Sequence, residues 1–213
     1  MNKGVISAFA AYVMWGVFPI YFKWLQAVPA FQTVSHRVVW SFFFLVIVIA
    51  LRGEWKVFIQ SLSWKRFLIY LGAGTLLGVN WFTYVWAIAQ GYVVESSLGY
   101  FINPLVSVLL GMIFLGERLR PLQWIPVILA VAGVAYLTIS YGSLPWIALI
   151  LAFSFGFYGL IKKISPLGSL HGLTLETAAI FLPSLGILLV EEFRGVGAFG
   201  HDGWLISILL ALT

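Results

Sequence analysis

Two apolar segments of this sequence carry amide and aromatic side chains near their centres. Asn80, Trp81 and Tyr84 lie in the first segment, and Tyr100 and Asn103 lie in the second. Amide and hydroxyl groups in apolar surroundings require hydrogen-bond partners, and the ring of a tryptophan offers a flat apolar surface. The combination predicts a binding site for a small aromatic or amphiphilic molecule. A role of the two asparagines in helix packing remains an open alternative.

Pro104 directly follows Asn103 and adds a backbone effect. Proline has no backbone N–H, so in a helix the carbonyl of Tyr100 would lose its hydrogen-bond partner. We expect a local break in the helix at this point, with the Asn103 amide beside it. The alternative is a proline kink that is sealed by an interhelical hydrogen bond from Asn103.

Three charged residues lie at or just inside the ends of apolar segments, and each has two interpretations. Lys23 and Arg37 either extend their long side chains to the membrane surface or take part in substrate binding or gating. Glu176 either benefits from the positive end of a helix dipole or serves proton coupling. The functional interpretation of Arg37 stays open, because a cation near a helix N-terminus is disfavoured by the helix dipole and needs another explanation.

Bond-breaking chemistry has little support in the sequence. There is no cysteine, and the three histidines, His36, His171 and His201, are isolated from one another. The metalloprotease pattern H-E-x-x-H, the hydrolase pattern G-x-S-x-G and the phosphate-binding pattern G-x-x-x-x-G-K-[ST] do not occur. We therefore expect no enzyme, no metal site and no cofactor.

The elements that must position these residues are transmembrane helices. Of the 213 residues, 62% are hydrophobic and 9% are charged, whereas a soluble domain carries about 25% charged residues. A helix needs about 20 apolar residues to cross the bilayer. Hydropathy predicts seven such helices, at residues 4–25, 34–51, 67–89, 96–115, 122–140, 145–161 and 172–190. An eighth begins at Trp204 and reaches only Thr213, so we expect a chain truncated within that helix.

The distribution of basic residues predicts the orientation in the membrane. With a cytoplasmic N-terminus, nine of the twelve Lys and Arg residues fall in cytoplasmic segments: Lys3, Arg52, Lys56, Lys65, Arg66, Arg118, Arg120, Lys162 and Lys163. This bias follows the positive-inside rule. It also accounts for the net charge of +5 without nucleic acid, which is not an expected partner. Residues 191–202, which include three acidic side chains, are expected outside.

A weak internal repeat fits the same scheme. A shift of 140 positions aligns Ala8 with Ala148, Gly16 with Gly156 and Lys23 with Lys163, and it places Phe18 beside Tyr158. The second unit would begin after five helices, an odd number, so it would enter the membrane from the opposite side. The arrangement expected is an inverted repeat, which is common in transporters.

The fourth and fifth predicted helices read NPLVSVLLGMIFLGERLRPLQWIPVILAVAGV, starting at Asn103. This stretch resembles the EamA repeat of the drug/metabolite transporter superfamily. Three further stretches are similar to the RarD branch of this superfamily: AYVMWGVFPIYFKWL, VSHRVVWS and GVNWFTYVWAIAQGYVVESSLGYFINPLVS. At the signature turn, Gly116 can leave a helix with positive φ and Pro121 can begin the next one. A structural turn and a gate are both open interpretations of this joint.

The resemblance implies an all-α polytopic membrane protein, a helix bundle of ten helices in two inverted repeats. Residues 1–140 would form the first EamA repeat and residues 141–213 an incomplete second one. The implied function is a secondary transporter, a permease or exporter of small metabolites or drugs, which include chloramphenicol-related compounds, acting by alternating access in the bacterial inner membrane. The expected partners are the lipid bilayer and a small-molecule substrate.

A structural or assembly subunit of the membrane, without transport of its own, is the alternative function. The substrate, the direction of transport, the coupling ion and the presence of a homodimer are left open by the sequence.

Reporter fusions test the predicted orientation. Fusions after Arg66 and Lys163 should report the cytoplasm, and a fusion after Gln90 should report the outside, because the basic segments stay inside. An external signal after Arg66 or Lys163, or a cytoplasmic signal after Gln90, would show that the scheme is wrong.

Overall fold

The computed structural model describes residues 3–142 and 144–213. This part of the chain forms nine α-helices, one short 3-10 helix and no strand. The α-helices are α1 (Lys3–Trp24), α2 (Ala30–Leu51), α3 (Trp55–Ser61), α4 (Trp64–Ala89), α5 (Val93–Leu115), α6 (Trp124–Tyr141), α7 (Trp146–Ile164), α8 (Ser169–Phe193) and α9 (Trp204–Ala211). The 3-10 helix, Pro121–Gln123, immediately precedes α6.

Six of the described helices, α1, α2, α4, α5, α7 and α8, are long and apolar enough to cross a membrane. The 3-10 helix and α6 together form a further apolar segment, which is shorter within the described residues. At 1.5 Å per residue, the 22 residues of α2 extend over about 33 Å, close to the thickness of the hydrocarbon layer. The chain is therefore a multi-pass helical membrane protein, as its composition predicted.

Several helices begin earlier than hydropathy predicted. The start of α2 is Ala30 rather than Val34, and α8 begins at Ser169 rather than Gly172. These extra turns contain polar residues such as Gln32, which lower the hydropathy without disfavouring a helix. The short helix α3 was missed because its seven residues are too few to cross a bilayer.

Helix α4 lies at the centre of the packing arrangement. It packs against α7 and α8, while α5 packs against α7 and α2 packs against α8. Helix α1 contacts α4, and α6 contacts α5. One buried cluster joins Phe22 of α1, Tyr84 of α4, Leu151 of α7 and Leu210 of α9. Residues on both sides of the predicted boundary at 140 thus share one core.

Close contact between α4 and α8 depends on Gly74. A Cβ atom at this position would lie 2.6 Å from the carbonyl oxygen of Glu176, whereas one on Gly78 would lie 3.8 Å from the Ile180 side chain. Glycines four residues apart on a helix permit such approach of two backbones. The packing role that this spacing favours is therefore seen at Gly74.

The joint between α5 and α6 has the predicted geometry. Gly116 has a φ of +66° and ends α5, and Pro121 is the first residue of the 3-10 helix. Glu117 forms an ion pair with Lys163 near the end of α7. The joint is therefore a turn whose Glu117 is attached to a neighbouring helix.

The connection between α8 and α9 is attached to the first turn of α2 by Gln32, which is 1% exposed. Its side-chain amide donates a hydrogen bond to the carbonyl of Val196 at 2.9 Å and accepts one from the N–H of Ala198 at 3.1 Å. The ring of Phe199 stacks on His36 with centroids 5.2 Å apart. This loop is thus anchored to α2.

Two of the three acidic residues of this region have basic partners. A guanidinium nitrogen of Arg194 lies 3.3 Å from a carboxylate oxygen of Glu191, and Nε2 of His201 lies 2.9 Å from a carboxylate oxygen of Glu192. The hydrogen bond and the negative charge of Glu192 raise the pKa of His201 above its usual value. The carboxylates of Glu191 and Glu192 are therefore paired locally.

Substitution of Gly74 by alanine tests the contact between α4 and α8. We expect Gly74→Ala to lower the free energy of unfolding by about 1–3 kcal/mol, because the added methyl group must push against helix backbone. Gly72→Ala on the same helix is the matched control, since a Cβ atom there has no neighbour within 4 Å. Thermal melting in detergent would compare the two, and equal melting temperatures would contradict the contact.

Candidate functional site

A cavity of about 90 Å³ lies among helices α1, α2, α4, α5 and α7. It brings together six of the nine residues that were predicted for the site: Arg37, Asn80, Trp81, Tyr84, Tyr100 and Asn103. Trp15, Phe18, Val85 and Phe155 complete its lining. We call this space the central cavity.

Arg37 is the charged residue of the central cavity, and its side chain is partly buried against aromatic rings of α1 and α4. The guanidinium carbon lies 4.2 Å from the centre of the Trp81 ring, 5.6 Å from that of Phe18 and 5.9 Å from that of Phe22. These contacts are cation–π interactions, which favour a cation over an aromatic face. Among residues 3–142 and 144–213, no hydrogen bond or ion pair reaches the side chain of Arg37.

Asn80 connects two helices. Its amide nitrogen donates hydrogen bonds to the carbonyl of Leu151 at 2.9 Å and to the hydroxyl of Ser154 at 3.0 Å. Asn80 is 4% exposed, so this amide would be costly to leave without partners. The structure therefore gives Asn80 the packing role that the sequence left open, while its side chain still forms part of the cavity wall.

Helix α5 contributes Tyr100 and Asn103. The ring of Tyr100 contacts that of Tyr84 edge to face, with centroids 5.7 Å apart. The Asn103 amide oxygen accepts only a long hydrogen bond, 3.5 Å, from Ser107. The amide nitrogen has no hydrogen bond to a described residue, so it can bind a molecule in the cavity.

The expected break at Pro104 is wrong, because α5 continues without interruption from Val93 to Leu115. Proline removes one backbone donor, and the helical hydrogen bonds of the adjoining turns are enough to maintain the helix. Pro104 instead lines a second cavity of about 350 Å³ between α1 and α5. We call it the side cavity; it shares Trp15, Tyr84, Tyr100 and Asn103 with the central cavity.

Glu176 lies apart from both cavities, and the helix-dipole interpretation of this residue requires correction. Because α8 begins at Ser169, Glu176 is beyond the first turn, fully buried, and paired. Lys162 of α7 lies 2.8 Å from one carboxylate oxygen, and the Tyr158 hydroxyl donates a hydrogen bond of 3.0 Å to the other. The Lys162 ammonium also lies 5.7 Å from the Tyr70 ring. This arrangement is a buried ion pair between α7 and α8.

Lys23 is exposed in the last turn of α1 and does not line the central cavity. The structure thus separates Lys23 from the other predicted site residues, in agreement with a side chain that extends towards the membrane surface.

Sequence reasoning missed the contribution of α1 and α7. Trp15, Phe18 and Phe22 are spaced by three and four residues, so they share one face of α1. Tyr158 and Lys162 have the same spacing on α7. This periodicity was a detectable signal, but aromatic residues are so frequent here that it did not distinguish the site face. Across the described residues, no group of three or more His, Cys, Asp or Glu could hold a metal ion.

The ion pair between Lys162 and Glu176 should contribute strongly to stability. Removal of one partner from a buried pair costs about 3–5 kcal/mol, and because Lys162 retains 24% exposure we expect Lys162→Met to fall at the lower end. Lys163→Met is the matched control, since its partner Glu117 is half exposed and such pairs contribute about 1 kcal/mol or less. Thermal melting in detergent measures both, and similar losses would contradict the role of the buried pair.

Comparison with known proteins supports the resemblance found in the sequence. Residues 2–139 match the EamA-like transporter family. The chain is 47% identical over 213 residues to Uncharacterized transporter YojE of Bacillus subtilis, covering 98% of this chain and 72% of the relative. It is 49% identical over 192 residues to Protein RarD of Salmonella typhi, covering 86% and 65%. It is 35% identical over 183 residues to Chloramphenicol-sensitive protein RarD of Pseudomonas aeruginosa, covering 82% and 60%.

The chain therefore spans between 60% and 72% of the length of these three relatives. No solved structure matches it. The family match covers most of the chain, and the RarD proteins resemble it well beyond the matched region. The chain belongs to the EamA-like transporter family, as a RarD-type permease.

Proposed function

We propose that the protein carries small metabolites or drugs across a bacterial inner membrane, and that the central cavity is its substrate site. The observation that carries this proposal is an arginine, two asparagines and two tyrosines grouped around one cavity inside an apolar helix bundle. Polar and charged groups within membrane helices are unfavourable, and they commonly mark substrate pathways. The printed names of the relatives support transport, and one of them is named for chloramphenicol sensitivity.

The transport mechanism that we propose is alternating access between two inverted repeats, residues 1–140 and residues 141–213. Helix bounds support it: α1 ends at Trp24 and α7 at Ile164, and α4 begins at Trp64 and α9 at Trp204, each 140 residues apart. Repeats of opposite orientation place a substrate site near the middle of the membrane, where one half can rock against the other.

The shift of 140 positions also relates two neighbours of Arg37 to two neighbours of Glu176. The side chains beside Arg37 include Phe18 and Phe22 on α1, and 140 positions later Tyr158 and Lys162 on α7 contact Glu176. In an inverted repeat these two groups would lie towards opposite membrane surfaces. We propose that the N-terminus is cytoplasmic, so that the pair of Lys162 and Glu176 lies on the cytoplasmic side.

Flux measurements with the full-length protein test the site. Cells that lack their own copy would be complemented with wild type, Asn103→Ala or Trp81→Ala, and the export of metabolites and of labelled chloramphenicol would be quantified. We expect at least tenfold lower flux in both variants for the compounds that wild type exports, with unchanged protein yield in the membrane, because both residues line the cavity without connecting helices through hydrogen bonds.

Ile113→Ala is the matched control, since Ile113 lies on α5 and is 65% exposed. Asn80→Ala should lower the yield instead, because it removes the hydrogen bonds to α7. Wild-type flux in both cavity variants would reject the central cavity as the site, and no exported compound in the wild type would reject transport.

A further inference from the structure

The central cavity contains a positive charge that no described residue neutralises. Arg37 is the charged side chain in its lining, which otherwise consists of amide, phenol and apolar groups. The phenols of Tyr84 and Tyr100 share this lining, and no carboxylate belongs to it. Buried charges in proteins are normally paired, because removal of a charge from water is costly. Among the described residues, the partner of this cation is missing.

No described residue accepts a hydrogen bond from the guanidinium N–H groups of Arg37. The guanidinium carbon lies 4.2 Å from the centre of the Trp81 ring. Those N–H groups form a planar fork that matches the two oxygens of a carboxylate. The cation therefore favours an anion in this position.

The volumes of the central cavity and the side cavity suit two different parts of one ligand. The central cavity, about 90 Å³, accommodates a charged group rather than a whole metabolite, since binding pockets for small molecules usually enclose about 300–1,000 Å³. The side cavity adds about 350 Å³, with Tyr12, Pro19 and Phe101 in its walls. Asn103 lies on both cavities and can donate a hydrogen bond where they meet. A body placed in the side cavity would contact mainly ring faces.

We infer that the substrates are organic anions, with a carboxylate on Arg37 in the central cavity and an apolar or aromatic body in the side cavity. This inference rests on the proposed transport function and narrows its substrate class. A cationic compound would be repelled by Arg37, and a neutral one would leave the guanidinium without a partner. A site built to bind one polar group discriminates strongly against an analogue that lacks it.

Binding to the purified full-length protein tests the inference without transport. The probes are benzoate, phenylacetate and 3-phenylpropionate, each compared with its neutral amide and with chloride. We expect at least one carboxylate to raise the melting temperature and to bind at least tenfold more tightly than its amide, because only the carboxylate pairs with Arg37. Chloride at the same concentration should not displace it.

Variants then assign the preference to Arg37. Arg37→Gln should remove the difference between carboxylate and amide, and Arg37→Lys should retain part of it, because lysine keeps the charge but loses the planar fork. Lys23→Gln is the matched control, as it removes an exposed cation of α1 outside the central cavity. The melting temperature of each variant without ligand shows whether it is folded.

Two results would overturn the inference: no carboxylate binds more tightly than its amide in the wild type, or the preference survives in a folded Arg37→Gln protein. Equal displacement by chloride would also overturn it, because the site would then be one for inorganic anions. Failure of the proposed function looks different, since wild-type flux would then be absent for every compound, whatever these binding measurements give.

Discussion

Polar groups inside a bundle of apolar helices must find their partners within the protein, because the surrounding lipid offers none. Asn80 meets this requirement with α7, and Glu176 meets it with Lys162 and Tyr158. Both solutions lie at contacts between helices, so they specify which helices are neighbours as well as stabilising them. Arg37 is different, because its neighbours are ring faces. The difference separates the polar groups that maintain the bundle from those that remain available to a ligand, which among the described residues include Arg37 and Asn103.

Helix α4 shows how these requirements are combined in one element. Gly74 brings it close to α8, Asn80 binds it to α7, and Trp81 turns towards Arg37 of α2. Contacts with three different helices within eight residues explain why α4 lies at the centre of the packing arrangement. A helix with so many neighbours cannot move independently of them, so a change in the shape of the cavity is more readily produced by α1, which contacts fewer helices.

Much of the fold was predictable from the sequence, because a long apolar segment in a membrane protein has few alternatives to a spanning helix. The grouping of Asn80, Trp81, Tyr84 and Asn103 was also predictable from the depth of these residues in their helices. The partner of Glu176 was not, since Lys162 follows an apolar segment and hydropathy assigned it to a loop.

The uninterrupted course of α5 could not be predicted either, because propensity describes the local effect of Pro104 but not the tolerance of the adjoining turns. The surroundings of Arg37 could not be predicted from the sequence either. Its rings come from α1 and α4, and only the fold determines which aromatic residues among many face the cation.

The attachment of the loop between α8 and α9 by Gln32 has a mechanical consequence. Gln32 and Arg37 are five residues apart on α2, so the loop between α8 and α9 and the cation are rigidly linked through little more than one turn of helix. A displacement of α2 that accompanies ligand binding therefore pulls on the loop. By thermodynamic reciprocity, an antibody that immobilises the loop would alter the affinity of the cavity by the same factor by which a ligand in the cavity alters the affinity of the antibody.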